Sequence, residues 1–172
     1  DEFIISDSGV LKRLDASLIG GNNTPAFEAY LGSNMTSMGD NTLTKITCNT
    51  EVYDTDSDYD NSSNYRFTPT SAGKYFVYGQ VKISAGGGND DAKNLMVKIY
   101  KNGSAIANST RDSTYNLGYQ NSPSINIASV VAMNGSSDYL ELYGSLNSVS
   151  DSGSNTGQAN SCFFGAYKII GA

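Results

Sequence analysis

The sequence predicts an all-β fold, an antiparallel sandwich, and three observations carry that prediction. Apolar residues recur with a period of two rather than that of a helix. Turn residues punctuate the chain at short intervals, and no segment shows a convincing amphipathic helix. At 172 residues one domain buries roughly two-thirds of its extended-chain surface, so neither metal nor disulfide is needed merely to fold.

Taken in order, residues 1–23 stand apart from the rest. They hold an apolar stretch (Phe3, Ile4, Ile5), an Asp7-Ser8-Gly9 turn signal, the basic pair Lys12-Arg13 and then Gly20-Gly21-Asn22-Asn23, a linker signal. This reads as a strand-turn-strand module or neck joined flexibly to a main domain over 24–172; a disordered leader is the alternative.

The clearest strand is 74–85, where Tyr75, Val77, Gly79, Val81 and Ile83 alternate with Phe76, Tyr78, Gln80, Lys82 and Ser84, both faces being partly apolar. Residues 94–101 follow, with Leu95, Val97 and Ile99 on one side and Met96, Lys98 and Tyr100 on the other. They end in Asn102-Gly103, a type I′ hairpin signal because both central positions need positive φ, so 104–108 is expected to return antiparallel. Further strands are expected at 26–31, 42–48, 50–54, 65–68, 124–133, 138–146 and 162–170. Ten short strands argue a sandwich or jelly roll, and the Gly- or Ser-rich stretches 86–91, 109–122 and 148–160 read as long loops.

Eleven Lys and Arg against seventeen Asp and Glu give a formal charge of −6, which leaves no footprint for a polyanion, so nucleic acid is not an expected partner. The chain has no histidine. Ser-His-Asp and Cys-His nucleophiles, H-E-x-x-H zinc sites and His-ligated transition metals are thereby excluded, and no enzymatic activity is expected. No apolar run approaches the ~20 residues of a membrane helix, so membrane insertion is not expected. With no initiator Met and no secretion signal, the chain reads as a processed or cropped piece of something longer.

Residue order carries more than composition does. Tyr59-Asp60, Phe67 with Pro69, and Ala72-Gly73-Lys74-Tyr75-Phe76 resemble the Y-D…F…P-x-x-G-x-Y-x-F core of the complement 1q and tumour necrosis factor type jelly rolls. Lys101-Asn102-Gly103 is similar to that family's K-N-G hairpin, 134–142 (NGSSDYLEL) to its G-D-x-V-x-L strand, and Cys162-Phe163-Phe164-Gly165-Ala166-Tyr167 to its closing S-x-F-S-G-F strand. The turn Gly135-Ser136-Ser137-Asp138 departs from the usual G-D. The leader over 1–21 also resembles junction segments of bacteriophage tail-fibre and other virion structural proteins, where such jelly rolls form C-terminal heads.

The resemblance implies a ten-stranded antiparallel jelly roll with a short N-terminal neck, assembled as a homotrimer through aromatic and aliphatic residues of one sheet. Tyr75, Phe76, Tyr78, Phe163 and Tyr167 are the expected trimer-packing residues. It further implies a virion structural protein, the head of a tail fibre or spike, joined to other virion proteins through its N-terminal segment and attached to a host receptor or glycan. The alternatives are a capsid decoration or cement protein, and a secreted lectin-like binding module of the same family.

Three candidate sites remain. Asp54, Asp56, Asp58 and Asp60 alternate like the opening of a calcium loop, but Tyr59 stands where the turn needs Gly and Tyr65 where the bidentate Glu belongs, so an EF-hand is rejected. Either another oxygen-rich Ca²⁺ site or a solvated acidic turn fits; no other cofactor is expected. Tyr115, Asn116, Tyr119, Gln120 and Asn121 combine rigid aromatic area with adaptable hydrogen bonding, the chemistry of a receptor or glycan contact, or of a loop capping the sandwich. Cys48 and Cys162 fall in strands that the resemblance makes near neighbours, leaving a disulfide or two buried thiols open. Asp138 with Glu141, or Asp56 with Asp58, are the carboxylate pairs a glycosidase would need, but nothing in the sequence places them across a cleft.

Overall fold

The computed structural model describes residues 2–15, 22–86, 91–112, 120–150 and 154–169, and among these there is no helix. The strands are β1 (Glu2–Asp7), β2 (Val10–Asp15), β3 (Ala26–Tyr30), β4 (Met35–Met38), β5 (Thr44–Lys45), β6 (Thr50–Asp54), β7 (Tyr59–Asp60), β8 (Arg66–Phe67), β9 (Ala72–Ser84), β10 (Ala92–Lys101), β11 (Ser104–Asp112), β12 (Ser124–Asn134), β13 (Leu140–Ser148), β14 (Asn155–Gly157) and β15 (Phe163–Lys168). β1 and β2 form a two-stranded antiparallel sheet of their own, turning at Ser8-Gly9, both of which have positive φ.

The remaining strands make two antiparallel sheets, one six-stranded (β11-β10-β13-β8-β7, with β5 on β13) and one seven-stranded (β4-β14-β9-β15-β3-β6, with β12 on β9). β12 runs along one edge of β9, while β14 and β15 follow each other along the opposite edge, Thr156 facing Ser84 and Phe163 facing Gln80. The sheets close face to face as the predicted jelly-roll sandwich.

Strict alternation explains which residues meet inside. On β9, Tyr75, Val77, Val81 and Ile83 are buried, and on β10 Leu95, Val97 and Ile99 are their counterparts in the facing sheet. Phe27 of β3 stacks on Tyr59 and on Phe67 at 4.5 Å each, and meets Phe164 edge-on at 5.1 Å, so one ring joins both sheets. Tyr59 donates its hydroxyl to the Cys48 carbonyl and Tyr75 donates to the Ser71 carbonyl, which satisfies both phenols inside the apolar core. Burial pushes the Tyr75 phenol up to about 12.

The hairpin and turn signals are realised. Asn102 (φ 52°) and Gly103 (φ 79°) make the predicted turn between β10 and β11. The unusual turn over 135–138 is held by Asn134 Oδ1, which accepts the N–H groups of Ser136, Ser137 and Asp138. Asp138 in turn accepts from Asn134 N, from Asn102 Nδ2 at 2.7 Å and from Lys101 Nζ at 2.8 Å, so the two turns clamp each other. Gly135 has φ 72°, and an added Cβ there would strike the backbone of Ala72.

Three expectations change. The stretch 42–48 contains only the two paired residues of β5. The stretch 109–122, read as a loop, gives its first residues to β11, which continues to Asp112. The stretch 148–160, also read as a loop, contains β14, which pairs β9 and carries β4 on its far side. Asn-Thr-Gly has no apolar alternation to announce a strand; buried Asn155 instead donates to the Leu146 carbonyl and accepts Gly86 N–H.

Candidate assembly and binding surfaces

The outer face of the seven-stranded sheet carries most of the expected packing residues. Phe76, Tyr78, Phe163 and Tyr167 are half-buried there, with ring centroids 6.0 Å (Phe76–Tyr78), 5.5 Å (Phe76–Tyr167) and 6.3 Å (Tyr78–Phe163) apart. Tyr75 does not belong with them. Successive strand residues point to opposite faces, and Tyr75 has 0% exposure inside its own chain, against Phe67.

Gly165 organises this face. It lies opposite Tyr78 on one side and Glu28 on the other, and a Cβ added to it would meet the Tyr78 ring at 2.5 Å. The bare glycine lets Tyr78 cross β15 and donate its hydroxyl to Glu28 Oε2 at 2.7 Å. Burial first, then the neighbouring Tyr53 and Glu28, push the Tyr78 phenol well above its ordinary range. Beside the rings a groove of about 440 Å³ is lined by Phe76, Tyr78, Gln80, Asn126, Ala128 and Phe163. Both margins of the sheet carry exposed apolar residues: Val130 on β12 at 56%, Val52 and Tyr53 on β6 at 58% and 41%.

The four aspartates of 54–60 have separate tasks. Asp54 accepts the N–H groups of Asp58 and Tyr59, Asp56 accepts the Thr55 hydroxyl, and Asp58 accepts both the N–H and the hydroxyl of Thr70. Asp60 accepts from Ser62, Ser63 and Asn64, and the Ser63 and Ser62 N–H groups with the Asn64 amide hold its carboxyl well below the usual range. Burial, opposed by the Thr70 bonds and aided by Asp54 and Asp56, raises that of Asp58. Among the described residues no group of three or more His, Cys, Asp or Glu is placed to hold a metal ion.

Of the expected receptor contacts, Tyr115, Asn116 and Tyr119 lie outside the described residues. Gln120 and Asn121 give backbone carbonyls to Ala92 and Ala85, which ties this end of the loop to the sandwich. Cys48 and Cys162 are buried free thiols; burial and then the neighbouring Cys162 push the Cys48 thiol up, and burial raises that of Cys162. Asp138 is engaged by Lys101 and Asn102, and Glu141 by Lys45 and Tyr143, so each weighed carboxylate has a structural partner.

One cluster on the outer face of the six-stranded sheet went unforeseen. Tyr100 and Tyr143 pack with ring centroids 4.4 Å apart, and Arg66 lies 4.7 Å over the Tyr139 ring. Tyr100 and Lys98 stand on the polar side of the alternation in 94–101, which was the available signal; their partners on β13 are Glu141 and Tyr143. Burial and Glu141 raise the Tyr143 phenol.

No protein-family model matches the chain, and no curated protein matches it in sequence. In three dimensions it is similar to murine APRIL, at TM-score 0.59 and 11% identity over 84% of this chain and 98% of that one. It is likewise similar to Eiger TNF from S. frugiperda, at TM-score 0.57 and 12% identity over 86% of this chain and 93% of that one. The fold is thus a tumour necrosis factor-like jelly roll.

Proposed function

We propose that the chain is a virion structural protein, the jelly-roll head of a phage tail fibre or spike. It assembles as a homotrimer, joins other virion proteins through its N-terminal segment and attaches the particle to a host-surface receptor or glycan. The observation that carries the assembly is the outer face of the seven-stranded sheet. A sheet with one face in the core normally turns polar residues to water, yet Phe76, Tyr78, Phe163 and Tyr167 lie on this one.

Its two margins are different apolar patches, Val130 on one side and Val52 with Tyr53 on the other. Unlike patches favour head-to-tail contacts, which close into a ring when the rotation permits; the sequence resemblance supports three copies. The β1–β2 hairpin supports the neck role, since a sheet of two strands is marginal alone and gains from neighbours. The junction-like leader supports the virion setting.

Light scattering on the purified chain tests the assembly. The expected mass is three times 18.2 kDa, falling to one copy in Phe76→Asp with the circular dichroism of the sheet retained. A stable wild-type monomer at micromolar concentration overturns it. For attachment, the purified head is expected to compete with virions for adsorption to host cells; undiminished adsorption overturns that part.

A further inference from the structure

We infer that the outer face of the six-stranded sheet is a saccharide-binding platform, built on Tyr100, Tyr143, Glu141, Lys45 and Lys98, that takes a sugar bearing a carboxylate. It lies on the side of the sandwich opposite the proposed assembly face and does not depend on that face being buried.

A pyranose offers an apolar C–H surface and a rim of hydroxyls, and a site for it needs aromatic area together with fixed polar groups. Here the aromatic area is the Tyr100–Tyr143 pair, half-buried at 4.4 Å between centroids. Two of the polar groups, Glu141 and Lys45, are fixed before any ligand arrives. Glu141, 5% exposed, accepts Lys45 Nζ on one oxygen and faces the Tyr143 hydroxyl at 3.4 Å with the other, while Lys45 also donates to the Asn64 carbonyl at 3.1 Å. Side chains already immobilised lose little entropy on binding, which favours a small ligand that can supply only a few contacts.

Charge selects the class of sugar. The chain is acidic overall, at −6, but on this face the Glu141 charge is matched by Lys45, and Asp60 is spent on its own loop. Lys98, directly across from Tyr143 on β10, makes no ion pair or side-chain hydrogen bond among the described residues. A cation next to rings, with its local counter-charges committed elsewhere, suits a single sugar carboxylate; the acidity of the whole chain disfavours an extended polyanion. The ordinary role of such a pair, cross-strand support of the sheet, accounts for the rings but not for the uncommitted lysine beside them.

Titration with sialyllactose, which carries a single carboxylate, and with the neutral hexamer maltohexaose separates the possibilities. It is followed by tyrosine fluorescence, which no Trp obscures in this chain, and by amide chemical shifts. The acidic probe is expected to saturate, with shifts confined to β5, β10 and β13 and affinity lowered about tenfold in Lys98→Glu, the scale of one charged hydrogen bond. Tyr100→Ala with Tyr143→Ala is expected to abolish binding; should that double variant unfold, Lys98→Glu decides alone. No response to the acidic probe, equal binding of the neutral hexamer, or unchanged affinity in Lys98→Glu overturns the inference. Light scattering on the same samples reports the oligomer, so failure of the platform and failure of the trimer are read separately.

Discussion

The two outer faces of the sandwich are both rich in aromatic rings and differ in what those rings are tied to. On the seven-stranded sheet the cluster is half phenylalanine, its single phenol-to-carboxylate bond joins Tyr78 to Glu28, and exposed Val130, Val52 and Tyr53 flank it. On the six-stranded sheet the rings are tyrosines: Tyr143 packs on Tyr100 and bonds to Glu141 of a lysine–glutamate pair, and Arg66 lies over Tyr139. Equal ring content therefore does not mean equal destiny. Rings without polar partners gain most by meeting another apolar surface, whereas rings anchored in ion pairs are stable while wet.

Four perturbations would break or sharpen this contrast. The largest effect belongs to neither face. Phe27→Ala removes the ring that touches Tyr59, Phe67 and Phe164, and denaturant unfolding is expected to show a loss of about 3–5 kcal/mol; a much smaller loss would mean that the faces, not the core, hold the sheets together. Next, Phe76→Ser is expected to dissociate the assembly in light scattering while changing the monomer's unfolding by about 1 kcal/mol or less, since the ring touches its own chain only along the surface.

Glu141→Ala should behave in the opposite way. It leaves Lys45, with 29% side-chain exposure, without its carboxylate, and is expected to cost about 1–3 kcal/mol in thermal or chemical unfolding with no change of mass. Loss of the oligomer in this variant would erase the distinction between the faces. The smallest effect is electrostatic. The Asp60 carboxyl is held low, so its contribution is complete above the ordinary carboxylate value of about 4 and disappears as pH falls through its depressed value. Asp58, whose value is raised, runs the other way, its protonation relieving strain on acidification. The melting-temperature deficit of Asp60→Asn is thus expected at pH 7 and should shrink progressively below pH 4.

Much of the fold was legible because the informative residues are the ones that meet. Tyr59, Phe67 and Tyr75, spaced along the recognisable motif, join one aromatic cluster, and Lys101-Asn102 with Asp138 are two motif fragments that bind each other. Alternation in 74–85 shows two faces but does not say which is inward when both are apolar, and that is why Tyr75 was grouped with its neighbour Phe76. Packing against the facing sheet decides it, where Tyr75 meets Phe67. β14 was illegible for another reason: it is held by backbone bonds and a buried amide, and neither leaves a hydrophobic period. The tyrosine platform depends on a register between β10 and β13 that no single strand encodes.

The place of β15 between β9 and β3 has a practical consequence. A fragment ending before Phe163 would not be a smaller version of this protein. It would hold two bare strand flanks facing a gap, each with unsatisfied N–H and C=O groups, and would seek an extended segment from any passing chain. Proteolytic clipping ahead of that strand should therefore yield insoluble material.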